Sequence, residues 1–131
     1  MINFKKIEID IDLLTQAVEK WSKIAFEGAE DHGCDDCPCC NHYKKHYSNR
    51  CGQCPIRVFS GKDSCNNTPY IDFSRAASES FKPVARLSEL ARIELDFLIY
   101  LRRLLEDIRD GIELSNNIER SFSKKYEIEG K

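Results

Sequence analysis

The sequence predicts a mainly α fold in which a helix, a zinc-stabilised loop module and a long helix follow one another. Three observations carry that expectation. All seven cysteines of the 131 residues fall between Cys34 and Cys65. Apolar residues recur at helical spacing on both sides of that stretch, and inside it the periodicity is lost. The length suits one domain (1–131), divided into a strand and first helix (1–29), the cysteine module (30–73), and a long helix with a tail (74–131).

In chain order, Ile7, Ile9 and Ile11 alternate with Glu8, Asp10 and Asp12, a period of two that predicts a short strand. From about Asp12 the pattern changes. Leu14, Ala17, Val18, Trp21, Ile24 and Ala25 then predict a helix over 12–28, with Asp10 or Asp12 as its N-cap and Trp21 as a core anchor. Between Glu30 and Thr68, glycine, proline, asparagine, aspartate and cysteine dominate. A structureless insert of that length needs something other than an apolar core to order it, and a metal would do so.

Helical signals return near Asp72 and break at Lys82-Pro83, because proline suits the first turn of a helix and disrupts its interior. The long helix begins there and runs to Gly111. In its middle, Leu95, Phe97, Ile99 and Tyr100 join Leu98 and Leu101 to make the helix apolar nearly all round, so more than one side needs cover. A second protomer, a bound partner or the chain ends would provide it. Ile112 to Phe122 predicts another short helix, and the weak alternation of Phe122, Tyr126 and Ile128 suggests a minor two-stranded pairing of the chain ends.

The cysteines carry the chemistry. Zinc takes four soft or borderline donors in a tetrahedron, and each Cys-x-x-Cys turn presents two thiolates from one backbone reversal. Cys37-x-x-Cys40 and Cys51-x-x-Cys54 meet that requirement, with Cys65 a possible replacement, and about one Zn2+ per chain is expected. Other subsets stay open, since Cys34-x-x-Cys37 is a further pair, Cys39 adjoins Cys40, and Cys37, Cys40, His46 and Cys51 come within one residue of a knuckle spacing. His32 and His42 are expected outside the ligand set. A four-cysteine iron–sulfur or redox site is the weaker alternative. A filled four-sulfur shell leaves zinc no open position, and no residues of a catalytic constellation stand out, so a non-enzymatic protein is expected.

Tyr43, Lys44, Lys45, Tyr47, Arg50 and Arg57 interleave aromatic and basic side chains on the module, a combination that would suit a single-stranded nucleic acid or another partner. The alternative is that the charges offset an anionic zinc–thiolate centre and the tyrosines cover it. The net charge of −2 argues against binding by bulk attraction. The N-terminus lacks the pattern of a signal peptide, and the most apolar run is far short of the ~20 residues a membrane span needs, so a cytoplasmic protein without a membrane partner is expected.

Trp21-Ser-Lys-Ile, Cys37-Pro-Cys-Cys-Asn-His-Tyr43, Cys51-Gly-Gln-Cys-Pro-Ile56, Ser60-Gly61 and Cys65-Asn-Asn-Thr-Pro-Tyr70 resemble a pattern in small cysteine-rich proteins of tailed bacteriophages, over residues 14–73. The resemblance implies that Cys37, Cys40, Cys51, Cys54 and Cys65 are the shared cysteines and that Cys34 and Cys39 are extras. It also implies that the Thr68-Pro69-Tyr70 turn closes over the metal site and that the chain is of phage origin. The closed metal site, the over-apolar long helix and the lack of catalytic groups then lead to the expectation of an accessory factor acting in the host cytoplasm on a host protein.

Overall fold

A computed structural model describes residues 1–33, 36–46, 54–60, 68–79 and 84–128, with the side chains of 44–46 excepted. The helices among them are α1 (Phe4–Glu27), α2 (Pro38–His46), α3 (Pro55–Ser60), α4 (Tyr70–Ala77), α5 (Val84–Arg109) and α6 (Asn117–Lys124). No strand occurs among the described residues. The mainly α expectation holds.

The framework is an antiparallel pair made by α1 and α5. Ile7, Asp10, Leu14, Ala17, Trp21 and Ile24 are buried along α1, and Ala91, Glu94, Leu98, Leu101, Leu105 and Ile108 are buried along α5. Both rows step by three and four residues, the spacing that keeps one stripe of each helix against its neighbour. The direction is fixed at both ends. Ser88 Oγ donates to the Ala25 carbonyl at 2.7 Å, and Arg109 Nη1 lies 3.5 Å from Glu8 Oε1. Gly28, at φ +72°, ends α1 by bonding back to the Lys23 carbonyl, and Gly111, at φ +73°, lets Ile112 N reach the Asp107 carbonyl at 2.9 Å.

The strand expected around Ile7, Ile9 and Ile11 is corrected. These residues lie inside α1, whose N-cap is Asn3, its Oδ1 accepting from Lys6 N at 3.2 Å. The error has a physical cause. Asp10 occupies a core position of the helical row and is fully buried, so the apolar series that would have revealed the helix is interrupted by a carboxylate. Asp10 is therefore an interior residue and not a cap.

The stretch read as lacking regular structure contains α2 and α3. Both are short, and both begin on a Cys-Pro step, at Cys37-Pro38 and Cys54-Pro55. The helix expected from Asp72 starts earlier, at Tyr70. Its end toward Lys82-Pro83 lies outside the described residues, whereas the long helix is α5 from Val84.

The pairing of the chain ends exists as one antiparallel bridge between Ile2 and Glu127, reinforced by Asn3 N to the Tyr126 carbonyl at 2.7 Å and Ile128 N to the Met1 carbonyl at 2.6 Å. The tail thereby returns to the start of α1. Phe122 and Tyr126 are buried there, and they extend an aromatic row through Phe59 of α3, which meets Phe122, Tyr100 and Phe97 edge to face at 5.3, 5.8 and 5.9 Å. This chain itself thus covers part of the apolar middle of α5, while Ile93 and Tyr100 stay exposed. Leu95 is in the core, Phe97 and Ile99 are half-buried against it, and Tyr100 gives its hydroxyl to Glu119 at 2.6 Å.

Asp10 ties these layers together, so its removal should be costly. Asp10→Ala removes the buried acceptor that Tyr43, Tyr126 and Lys6 share, and a loss of about 3 kcal/mol is expected. Urea denaturation measures it, with an unchanged slope. A loss below about 0.5 kcal/mol would mean that the cluster contributes no net stability.

Candidate metal centre

Cys37 and Cys54 occupy equivalent places. Each precedes a proline at the first position of a helix, and each carbonyl accepts the first helical bond, from Asn41 N and from Val58 N, both at 2.9 Å. Proline suits that position because its nitrogen has no proton to leave unpaired. The cysteine sulfur then acts as the N-cap. Cys37 Sγ accepts from Cys40 N, and Cys54 Sγ accepts from Ile56 N and Arg57 N, which uses backbone donors that a helix start leaves free.

Between the two caps lies the fully buried Cys39, whose thiol is in hydrogen-bond contact with both Cys37 and Cys54. Cys40, also buried, contacts Cys37. The thiol contacts from Cys39 and Cys40, the amide of Cys40 and the Lys20 ammonium hold Cys37 far below the ordinary thiol range despite its burial. Cys54 is lowered by Cys39 and by the amides of α3. Cys39 is raised by the same two contacts and keeps its proton. The arrangement is one of two cysteine sulfurs at helix N-termini with a third, buried thiol shared between them.

These sulfurs suit zinc in kind, since they are clustered in or beside the core, two of them are drawn toward the thiolate form, and they are partnered by amide donors of the sort that orient metal-bound cysteines. Of the expected tetrad, Cys37, Cys40 and Cys54 fall in this cluster, while Cys51 lies outside the described residues, as do Cys34 and Cys65. Among the described residues no group of three or more histidine, cysteine, aspartate or glutamate side chains is arranged to hold a metal ion. None of the four described cysteines is joined to another of them by a disulfide. Cys39, set aside as an extra in the sequence, is instead the central thiol. Its burial beside two Cys-Pro steps leaves no trace in spacing alone.

Two polar clamps fasten the module to α1. In the first, Asp10 accepts from the Tyr43 hydroxyl through Oδ1, and from the Tyr126 hydroxyl at 2.6 Å and Lys6 Nζ at 2.7 Å through Oδ2. Burial and the adjacent Asp10 push both phenols well above their usual range, so they remain donors. Lys6 Nζ also lies 5.2 and 4.8 Å from the centres of the Tyr43 and Tyr126 rings. In the second, Lys20 Nζ pairs with Asp31 at 2.8 Å and Asp36 at 2.6 Å. Burial alone would lower Lys20, but these two carboxylates outweigh it. Tyr70 donates to Asp31 at 2.9 Å and stands edge-on to Trp21, which also meets Phe73. Trp21 is the core anchor expected of it, at 5 % exposure.

The aromatic–basic set is not presented as one surface. Tyr43 is 2 % exposed and committed to Asp10, which removes it from any stacking role at the surface. Lys44 and Lys45 lie on α2 with side chains outside the described set, Tyr47 and Arg50 are outside it altogether, and Arg57 is half-buried on α3. His32 is exposed, and His42 stands edge-on to Tyr43 at 4.8 Å. Thr68 is buried and Tyr70 reaches Asp31, so this turn packs against the segment leading into Cys37.

Beside the cluster, α1 and α2 wall a groove of about 730 Å³. Ile9, Leu13 and Pro38 give it an apolar lining, and Glu8, Asp12 and Asp36 give it an acidic one. No protein-family model, curated protein or solved structure matches the chain. No helix of the described residues is long and apolar enough to cross a membrane.

Glu94 went unnoticed in the sequence because it reads as one charge among several on α5. It is 2 % exposed, and its Oε2 has no hydrogen-bond partner among the described residues. Burial, with Cys37 and Asp31 nearby, lifts its carboxyl from 4.5 to about 8 against the opposing pull of Lys20. The folded protein therefore keeps Glu94 neutral in a range where the unfolded chain ionises it. The stability this gives is fully present below about pH 4.5 and is lost as pH rises through about 8. Glu94→Gln should match the wild type near pH 4 and exceed it by on the order of 2–4 kcal/mol near pH 9. Urea midpoints across that range test this, and parallel curves for the two proteins would refute it.

Proposed function

We propose that this chain is a non-enzymatic, zinc-stapled interaction protein that docks a basic, partly apolar segment of another protein in the groove between α1 and α2. The groove carries the reading. Its apolar lining of Ile9, Leu13 and Pro38 beside Glu8, Asp12 and Asp36 is the composition that holds a chain of alternating aliphatic and cationic side chains. One wall is α2, whose start is built by Cys37.

Zinc held by Cys37, Cys54 and further cysteines of the module would supply folding free energy to that wall rather than reactivity. The burial of Cys39, Cys40 and Cys54 supports a structural role, since a substrate would have no open approach to those sulfurs. The resemblance of residues 14–73 to small phage proteins makes a host cytoplasmic protein the expected partner. The nucleic-acid reading is the weaker one, because Tyr43 is held inside by Asp10.

Two measurements test the reading. Metal analysis of the purified protein should find about one zinc per chain, lost on Cys37→Ser or Cys54→Ser substitution. An affinity capture from host lysate should recover a partner with the wild type, and Asp12→Lys, on an exposed position, should weaken that capture about tenfold with zinc content unchanged. Metal-free native protein would overturn the staple, and capture indifferent to Asp12→Lys would overturn the groove.

A further inference from the structure

The C-terminal helix is fastened by very little of itself. From Asn117 to Ile128, only Glu119, Phe122 and Tyr126 are buried. Ile118 is 64 % exposed, and α6 is a helix of eight residues, too short to persist by its own propensity. What keeps it in place is the set of groups these three side chains meet. Tyr126 shares Asp10 with Tyr43, which rides on α2 behind the Cys37 cap. Phe122 meets Phe59, which rides on α3 behind the Cys54 cap. Glu119 takes the Tyr100 hydroxyl, and Tyr100 in turn leans on Phe59.

We propose that α6 and the following residues form a strap held shut by the two cysteine-capped helices, so that loss of the bound metal frees residues 117–128 and uncovers the aromatic face of α5 around Phe97 and Tyr100. This rests on the metal reading above. The reasoning is geometric. Helices of nine and six residues are marginal alone, and their N-termini are organised by the sulfur cluster. Once that cluster opens, Tyr43 and Phe59 lose their placement together. Asp10 then gains access to water through the site Tyr43 vacated, Phe122 loses its edge-to-face contact with Phe59, and the strap is left with Tyr126 on the now wetter Asp10, Glu119 and the bridge to residues 1–3. The α1–α5 pair is held by a long stripe of mostly apolar residues, interrupted by Asp10 and Glu94, and its helices do not start on either cap, so it remains.

Hydrogen exchange on the full chain, read by mass spectrometry with and without a zinc chelator, tests the strap. Chelation should speed exchange of amides 117–127 about tenfold or more, while amides 13–24 and 95–105 keep their protection. Tyr43→Phe, which deletes one hydroxyl and no cysteine, should loosen the same tail segment in metal-loaded protein. Chelation that removes zinc and leaves 117–127 unchanged would overturn the strap and leave the metal reading intact. Loss of protection throughout α1 and α5 on chelation would overturn it as well, because the tail would then not be separable from the core. If the native protein holds no metal, the staple fails independently, and Tyr43→Phe alone decides whether α2 fastens the tail.

Discussion

A carboxylate placed where water cannot reach constrains the rest of this molecule. Asp10 sits in the apolar row of α1 with no exposed surface, and a polar side chain there is tolerable only if its oxygens are engaged. The partners cannot come from one place. Lys6 is one turn back on the same helix, Tyr43 is 33 residues downstream on α2, and Tyr126 is 116 residues downstream in the tail. Satisfying one side chain therefore brings the first helix, the cysteine module and the C-terminus to one point. An apolar residue of similar size would pack there at lower cost and leave the three segments free to meet in other ways.

The cysteine module depends on that point as much as on its sulfurs. α2 and α3 have few residues, and only a part of each is apolar. What they possess is a defined start, since Cys-Pro fixes the backbone at each first turn and the sulfur takes the amides that would otherwise be unpaired. A cap sets where a helix begins but not where it lies. Tyr43 on Asp10 places α2, and Phe59 against Phe122 and Phe97 places α3. The Lys20 clamp does the same for the segment entering Cys37, pulling Asp31 and Asp36 onto α1.

How much of this was legible in the sequence follows from the kind of signal each part leaves. α5 was readable because Leu98, Leu101 and Leu105 repeat over many turns, and Gly111 marks its end. The need to cover more than one side of it was readable too; α1 and α4 pack along it and the tail reaches it through Phe59 and Tyr100, while Ile93 and Tyr100 keep exposed surface. The start of α1 was misread because six residues of chance alternation outweighed a helical row broken by a buried acid. α2 and α3 left no periodic trace, since caps and single anchoring side chains stabilise them rather than an apolar stripe. The cysteines drew attention to the segment that holds α2 and α3, but spacing describes turns and not which sulfur points inward, so it gave no sign that Cys39 lies buried between Cys37 and Cys54.

The two acids of the α1–α5 seam show why its register is unique. Asp10 and Glu94 each occupy a stripe position, toward opposite ends of the pair, and the chain treats them differently. Asp10 is met by Lys6, Tyr43 and Tyr126, whereas Glu94 is held neutral beside Cys37 and Asp31. Sliding α5 by one heptad along α1 would preserve the leucine contacts almost unchanged. It would also carry Glu94 away from the Lys20 ammonium, whose attraction partly offsets the burial, and would shift the tail that delivers Tyr126 away from Asp10. The apolar residues hold the helices together without choosing among such registers, and the polar ones choose. The charged residues that obscure the helical pattern in the sequence are thus the ones that make the fold a single arrangement.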